Sequence, residues 1–292
     1  MNSLKKFTIA GLLLGSPAFS GGWEASRLDT SMMYNDGGYA EVATTSVSYS
    51  VSATSGAAVG ANTHAMAKDQ TRTSFGFKTQ FGNFDVGLSS YNSGAIQLDG
   101  QATAAGVSLV PSADVTARSL ALMGKYRINE NMSAFAGLNR YSVPTSTVTT
   151  IAAAYRVSGD EIAPVIGAAY ENKEIALRVE AIIQAETDMT LTASSAAIAA
   201  GGLAAAAAVP GSSTLVIPQT ITLNVQSGIA EDTLLFGSIH QADWDNAQIG
   251  IPANATTSAP TIGSSFSSKT AYSVGLGRKI SDDLSLIASY ST

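Results

Sequence analysis

From Thr220 to Gln226 the chain alternates strictly. Thr220, Thr222, Asn224 and Gln226 are polar, and Ile221, Leu223 and Val225 between them are apolar. A period of two marks an extended strand with two unlike faces. The alternation recurs along the chain. Phe75, Phe77 and Phe81 oppose Arg72, Ser74, Lys78 and Gln80, and Phe84, Val86 and Leu88 oppose Asp85, Gly87 and Ser89. Leu120, Leu122 and Tyr126 oppose Ser119, Met123 and Lys125. The run from Ile175 to Leu191 sets Ile175, Leu177, Val179, Ile183 and Leu191 against Arg178, Glu180, Gln184, Glu186 and Asp188. Residues 132–143 read as extended with less distinct faces, 162–170, 270–280 and 284–290 as further strands, and 39–51 as the first. Together these make about eleven strands.

The breaks between them alternate in length. Gly82-Asn83, Asn129 to Asn131, Glu171 to Lys173, Glu231-Asp232 and Ser281 to Asp283 are short polar turns. Residues 52–71, 93–114, 146–160, 193–216 and 247–268 are long connections rich in Ala, Gly, Ser and Thr. Short turns at one end and long loops at the other characterise transmembrane β-barrels. The predicted fold class is therefore all-β, a transmembrane antiparallel β-barrel with its apolar faces toward lipid and its charged faces toward the lumen. Lipid offers the backbone no hydrogen-bond partners, so such a sheet must close on itself. Phe81, Phe84, Tyr126 and Tyr170 flank short turns, where a barrel carries an aromatic girdle, and Trp244 sits near the other end of its strand. Ala193 to Val209 is apolar and low in complexity, with Gly201-Gly202 inside it; a short loop helix is favoured there over a disordered spacer.

The N-terminus sets the compartment. MNSLKK is basic, FTIAGLLLG is a short apolar stretch, and SPAFS ends in small residues. This is the three-part pattern of a secretory signal peptide, residues 1–20, cleaved after Ser20. Export and strand pattern together place the protein in the bacterial outer membrane. Charged residues make up only 13% and the net charge is −6, which disfavours nucleic acid as a partner, since phosphate needs clustered Lys and Arg. Cysteine is absent, so disulfides and thiolate metal sites are excluded. Beyond the N-terminus no apolar run is long enough for a membrane-spanning helix.

EIALRVEAIIQAETDMTL, followed by IPQTITLNVQSGIAEDTLLFGSIHQADW, resembles the FadL-type long-chain fatty acid transporters of the outer membrane. The likeness is strongest over Glu174 to Trp244 and extends weakly to GGWEASRLDTSMMYNDGGYAEV near the N-terminus. It implies a fourteen-stranded barrel, with a hatch segment at residues 21–38 folded into the lumen and the barrel proper from residue 39 to 292. The strand count is odd and SLIASYST stops inside a periodic run, so C-terminal strands are expected beyond Thr292. The resemblance implies uptake of hydrophobic compounds, long-chain fatty acids first and aromatic hydrocarbons in some members, by a monomer. It also implies that a shift of the hatch and a kink in an early strand open a lateral route. The family's Asn-Pro-Ala hatch motif is absent before Tyr39.

Candidate chemistry is sparse. Arg178 and Glu180 share the polar face of one strand, and Arg72 and Lys78 share that of another. Arg72, Lys78, Arg178 and Glu180 are the lumenal ligand-binding candidates, because a guanidinium or ammonium can meet a carboxylate headgroup. The plainer reading is internal salt bridging within a polar lumen. Asp243-Trp244-Asp245 resembles a metal-binding pair only superficially, since a hard cation wants six or more oxygens. His64 and His240 lack metal-ligand spacing, and no triad-like constellation or phosphate loop is present. The sequence thus reads as no enzyme, with no cofactor or metal; its partners are a hydrophobic small molecule and outer-membrane lipid. A general diffusion porin or an aromatic hydrocarbon uptake channel is the alternative, and a secreted adhesive or structural β-protein is the third reading.

Overall fold

A computed structural model describes residues 22–49, 52–54, 63–65, 68–98, 112–149, 153–197, 209–248, 250–254, 257–281 and 284–292. The predicted signal peptide lies outside the described residues. After a 3-10 turn at Ser31–Tyr34, every regular element among the described residues is a strand. They are β1 (Tyr39–Val47), β2 (Ser52–Thr54), β3 (Thr63–Ala65), β4 (Gln70–Phe81), β5 (Phe84–Leu98), β6 (Ser112–Arg127), β7 (Met132–Thr149), β8 (Ala153–Asn172) and β9 (Leu177–Gln184). Then come β10 (Thr187–Ala197), β11 (Val209–Ile217), β12 (Thr220–Ala230), β13 (Thr233–Ala242), β14 (Gly250–Asn254), β15 (Thr257–Gly263), β16 (Lys269–Lys279) and β17 (Ser285–Ser291).

Eleven strands follow one another in a single hydrogen-bonded path, β1-β4-β5-β6-β7-β8-β9-β12-β13-β16-β17, as the alternation predicts. All pairings are antiparallel. β10 and β11 belong to the same sheet and prolong β9 and β12, so that Thr187 pairs with Ile217 just beyond the Gln184–Thr220 pair. No ladder joins β1 to β17 among the described residues, so the sheet is curved but open, and β17 is exposed on both faces.

The polarity of this sheet is the reverse of a water-soluble one. Val42, Phe75, Phe77, Leu120, Leu122, Leu138, Ile166, Ile221, Leu223, Ile239 and Leu276 all point outward and are exposed. Arg72, Lys78, Asp85, Lys125, Asn139, Glu180, Gln184 and His240 point inward and are buried. Phe81, Phe84, Tyr126 and Tyr170 form an exposed aromatic rim beside the short turns. On β8 the outward apolar residues run from Ile162 to Tyr170, nine residues, and end at Asp160, which pairs with Arg140 at 3.2 Å on the outer surface. A tilted strand of about 9–11 residues crosses a bilayer's hydrocarbon.

Above that band the strands continue, which the sequence pattern does not anticipate. Residues expected as loops at 93–98, 112–114, 146–149 and 153–160 are strand. Two-residue interruptions invert the faces there. On β9, Glu180 and Gln184 point in; after Ala185-Glu186 the alternation shifts, so Glu186 and Asp188 are exposed while Met189 and Leu191 are buried. Glu186 and Asp188 therefore do not continue the inner charged face of Arg178 and Glu180. Pro218-Gln219 does the same between β11 and β12, burying Leu215 and Ile217. The register shift between Val143 and Ser146 does so on β7. The strands above the band thus bury their apolar residues as a soluble sheet does. Trp23, Val143, Met189, Leu191, Leu215, Ile217 and Trp244 form that upper core.

Two further expectations change. Ala193–Ala197 and Val209 are strand, paired Ala193 to Gly211 and Ser195 to Val209, rather than loop helix; residues 198–208 lie outside the described residues. Trp244 is buried rather than part of an exposed girdle, because it follows β13 above the band and turns inward.

The inverted faces give a direct test. Leu122→Arg, in mid-band on the outer face, should destabilise the protein in lipid vesicles by about 2–4 kcal/mol, whereas Thr190→Arg, above the band, should cost about 1 kcal/mol or less. Urea unfolding titrations of vesicle-inserted protein measure both.

Candidate functional site

Residues 22–38 lie against the inner face of the sheet and fasten to it at three levels. At the top, the backbone pairs with β5. Ala95 N donates to Trp23 O and Ala25 N donates to Ser93 O, both at 2.9 Å, and Glu24 bridges Gly94. In the middle, Asp29 Oδ1 accepts from Ser31 N at 2.8 Å, which starts the 3-10 turn. Burial raises the Asp29 carboxyl above the ordinary carboxylate range, opposed by its hydrogen bonds from Ser31. The turn then drives Met32 and Met33 between Met123, Phe135, Val165 and Ile182. Two wall glycines make room for this approach. A Cβ at Gly87 would lie 2.2 Å from Met33 Sδ, and one at Gly94 would lie 2.4 Å from Trp23 Cε3.

The lowest level is electrostatic. Glu180 on β9 accepts hydrogen bonds from Thr30 Oγ1 (2.7 and 2.8 Å), Tyr34 Oη (2.6 Å) and Asn224 Nδ2 (2.8 Å). Asp85 collects three cations: Lys78 at 3.1 Å, Lys125 at 3.8 Å and Arg127 at 2.7 Å. Lys78 also donates to Asn35 O, and Lys125 and Arg178 sit over the Tyr34 ring at 4.0 and 4.2 Å. Lys78 and Asp85 are both fully buried, so neither charge is solvated by water. Each must be paired inside, which β4, β5 and β6 achieve through their register.

The four residues singled out from sequence therefore all lie on the inner face, at two places. Lys78, Arg178 and Glu180 meet around Tyr34. Arg72 stands higher, bonded to Ala25 O, to Tyr49 Oη and to Gln70 Oε1. All four hold residues of this chain. Sequence reasoning missed Asp85, Tyr34, Glu24 and His240. The hairpin turn at Gly82-Asn83 signals that Asp85 folds back toward Lys78, but the pairing of Asp85 with Lys125 spans a long connection. His240 Nδ1 is 2.8 Å from Thr222 Oγ1, and its Nε2 lies 3.2 Å from Glu24 Oε2, an ion-pair distance off hydrogen-bond alignment. Asp243 and Asp245 brace the chain by accepting from Ser268 Oγ (2.9 Å) and Ser268 N (3.1 Å). No group of three or more metal-type ligands occurs among the described residues.

Two clefts adjoin the segment. The upper, about 650 Å³ with open solvent at its mouth included, lies between Trp23, Tyr91, Tyr141, Ile217, His240 and Trp244. Burial lowers the pKa of Arg27 beside it, opposed by Glu24. The second cleft, about 570 Å³, passes between β4 and β5. Among the described residues these strands pair from Phe75–Ser90 to Phe81–Phe84. Beyond Phe75, β4 pairs with β1 alone, while β5 pairs with β6 and with residues 23–25. A register shift between Asn92 and Gly94 bends β5 away, and contact resumes at Lys68 N to Gln97 O, 3.3 Å. The parting is lined by inner-face Arg72, Ser89 and Tyr91 and by outer-face Thr73 and Phe75.

No family model and no curated protein matches this chain. Solved structures do. The toluene transporter TodX of Pseudomonas putida matches with a TM-score of 0.55 and 12% identity, over 94% of this chain and 81% of that one. The toluene transporter TbuX of Ralstonia pickettii matches with a TM-score of 0.60 and 12% identity, over 89% and 78%. A second TodX structure gives 0.61 and 14%, over 89% and 76%. The fold of this chain is that of these barrel channels.

Glu180 is the residue on which the lower fastening turns. Glu180→Ala should loosen residues 22–38 by on the order of 3 kcal/mol, since three neutral donors lose a charged acceptor. Amide hydrogen exchange across residues 28–36 should accelerate by tenfold or more while exchange in β6 and β7 is unchanged.

Proposed function

We propose that this protein is a bacterial outer-membrane channel that takes up hydrophobic small molecules by passive diffusion, monoaromatic compounds among them. The observation that carries the reading is the sheet's inverted polarity. An exposed apolar band of bilayer height requires lipid outside, and a charged inner face requires an enclosed lumen inside. Residues 22–38 occupy that lumen as a hatch, which disfavours a general diffusion pore for polar solutes. Support for an apolar substrate comes from the aromatic upper cleft and from the folds it shares with toluene transporters. Residues 1–20 serve as the signal peptide for export.

The route follows from the geometry. A substrate enters the upper cleft from outside. It moves past Ser26, Arg27 and Tyr91, which border both clefts, and leaves sideways where β4 and β5 part. The parting lies at the top of the apolar band, next to outward Phe75 and Phe77, so an apolar molecule passes into lipid without crossing the charged lower lumen. No bond is made or broken, so the channel needs no catalytic group. Long-chain fatty acids form a second reading. The adjacency of the two clefts, which share Ser26, Arg27 and Tyr91, favours it, since an extended chain with Arg27 and Arg72 along its path could lie through both.

The hatch is testable because the chain has 0 cysteines. Ala25 and Ser93 are hydrogen-bonded neighbours across an antiparallel bridge, a spacing of about 5.5 Å that a disulfide spans. Oxidised Ala25→Cys/Ser93→Cys protein, expressed in cells lacking their own transporter, should lose most uptake of labelled toluene, and reductant should restore it. Uptake undiminished by the crosslink would exclude hatch movement. No uptake by the folded wild-type protein of either toluene or labelled oleate would sink the channel reading.

A further inference from the structure

Arg27 borders both clefts, so a molecule on the route described above passes it. Its side chain is 19% exposed, and its one ion-pair partner among the described residues is Glu24, 3.5 Å from Nε. Nε is buried and makes no hydrogen bond. Nη1 and Nη2 keep accessible surface and donate to no group among the described residues. The other inward cations are engaged more fully. Arg72 has three acceptors, Ala25 O, Tyr49 Oη and Gln70 Oε1. Lys78 has Asp85 and Asn35 O, and Lys125 has Asp85. Lys125 and Arg178 also lie over the Tyr34 ring. No ring of the described residues lies over Arg27.

A guanidinium placed this way can meet an acceptor oxygen or the face of an aromatic ring. The surrounding charges oppose a carboxylate. It would face Glu24 from the upper cleft and Asp29 and Glu41 from the second, while Arg72 is already committed. A monoaromatic hydrocarbon has no oxygen, and the ring face is what it offers. Burial has already removed part of the hydration of Arg27. A passing apolar molecule displaces more of that water. An aromatic ring replaces it with a negative π-face, whereas a saturated ring of the same size gives nothing back. We infer that Arg27 makes the channel select aromatic over saturated hydrocarbons, by presenting its guanidinium to the π-face of a ring passing between the two clefts. This rests on the reading of the clefts as the route of a monoaromatic substrate, and it assigns that reading's specificity to one residue. The chain makes the same contact within its own lumen, where Lys125 and Arg178 lie 4.0 and 4.2 Å from the centre of the Tyr34 ring.

The test varies the charge distribution of the ring at nearly constant shape. Cells lacking their own transporter express the full-length protein. Their uptake of labelled toluene is inhibited with benzene, symmetrical trifluorobenzene, hexafluorobenzene or cyclohexane, at measured free aqueous concentrations. Fluorine withdraws density from the ring face and raises hydrophobicity, so contact with a cation and plain apolar burial give opposite orders. In the wild type, benzene should inhibit at about three- to tenfold lower concentration than hexafluorobenzene or cyclohexane, with trifluorobenzene between. Arg27→Met, uncharged and of similar length, should lose this order, and Arg27→Lys should keep it. If hexafluorobenzene or cyclohexane inhibits the wild type as well as benzene does, or if no compound inhibits, the inference is overturned whatever the variants do. An order that survives in Arg27→Met overturns it too. In each of these cases labelled toluene still enters and the channel reading stands. Absence of toluene uptake by folded wild-type protein would remove the channel reading, and the inference with it.

Discussion

Buried charge is what fastens residues 22–38 to the sheet. The outer face is apolar, so the inner face carries the ionisable side chains, and there each must find a partner or be neutralised at high cost. The strands pair some of them among themselves: Asp85 meets Lys78, Lys125 and Arg127 across β4, β5 and β6. Glu180 finds only Asn224 on the wall, and its remaining lone pairs are met by Thr30 and Tyr34. Lys78 completes its shell with Asn35 O, and Arg72 with Ala25 O. The segment is thus a required part of the inner face, and Gly87 and Gly94 provide the depth that lets Met33 and Trp23 reach it.

The same attachment shapes the wall. A strand edge that lacks a partner in one direction takes another, and β5 exchanges β4 for residues 23–25 at the level where the two strands separate. The parting and the attachment of residues 23–25 are therefore one feature. Withdrawal of residues 23–25 would free the β5 edge, so the backbone pairing ties the upper cleft to the parting of β4 and β5.

Height is encoded separately, in the points where the alternation slips. Below Ala185-Glu186, Pro218-Gln219 and the shift between Val143 and Ser146, the outer positions are apolar, as at Ile183, Ile221 and Leu138; above them the outer positions are polar, as at Glu186, Asp188, Thr214 and Thr147. A slip of one position within each break is enough, because the strand period is two. One sheet thereby presents an apolar outer face along the band and a polar outer face above it.

The alternation of Thr220 to Gln226, the phenylalanines of β4 and the short turns were enough to make an all-β, inside-out sheet of eleven consecutive strands readable, and to put Arg72, Lys78, Arg178 and Glu180 on its inner face. Each of these is local: side-chain direction in a strand follows from neighbours one and two positions away. The strands above the band were not readable, since their small residues carry no strong period and the slips that reverse the faces look like continuous alternation from Ile175 to Leu191. What the inner residues touch was decided only in three dimensions. Asp85 and Lys125 are brought opposite each other by a long connection, and Glu180 meets Thr30 and Tyr34 across 150 and 146 positions. Trp23 and Trp244 share a cleft only because one rides on the hatch and the other caps a wall strand. Period and polarity act through the backbone's own geometry, whereas pairing between distant segments depends on register and curvature that the closing of many ladders sets together.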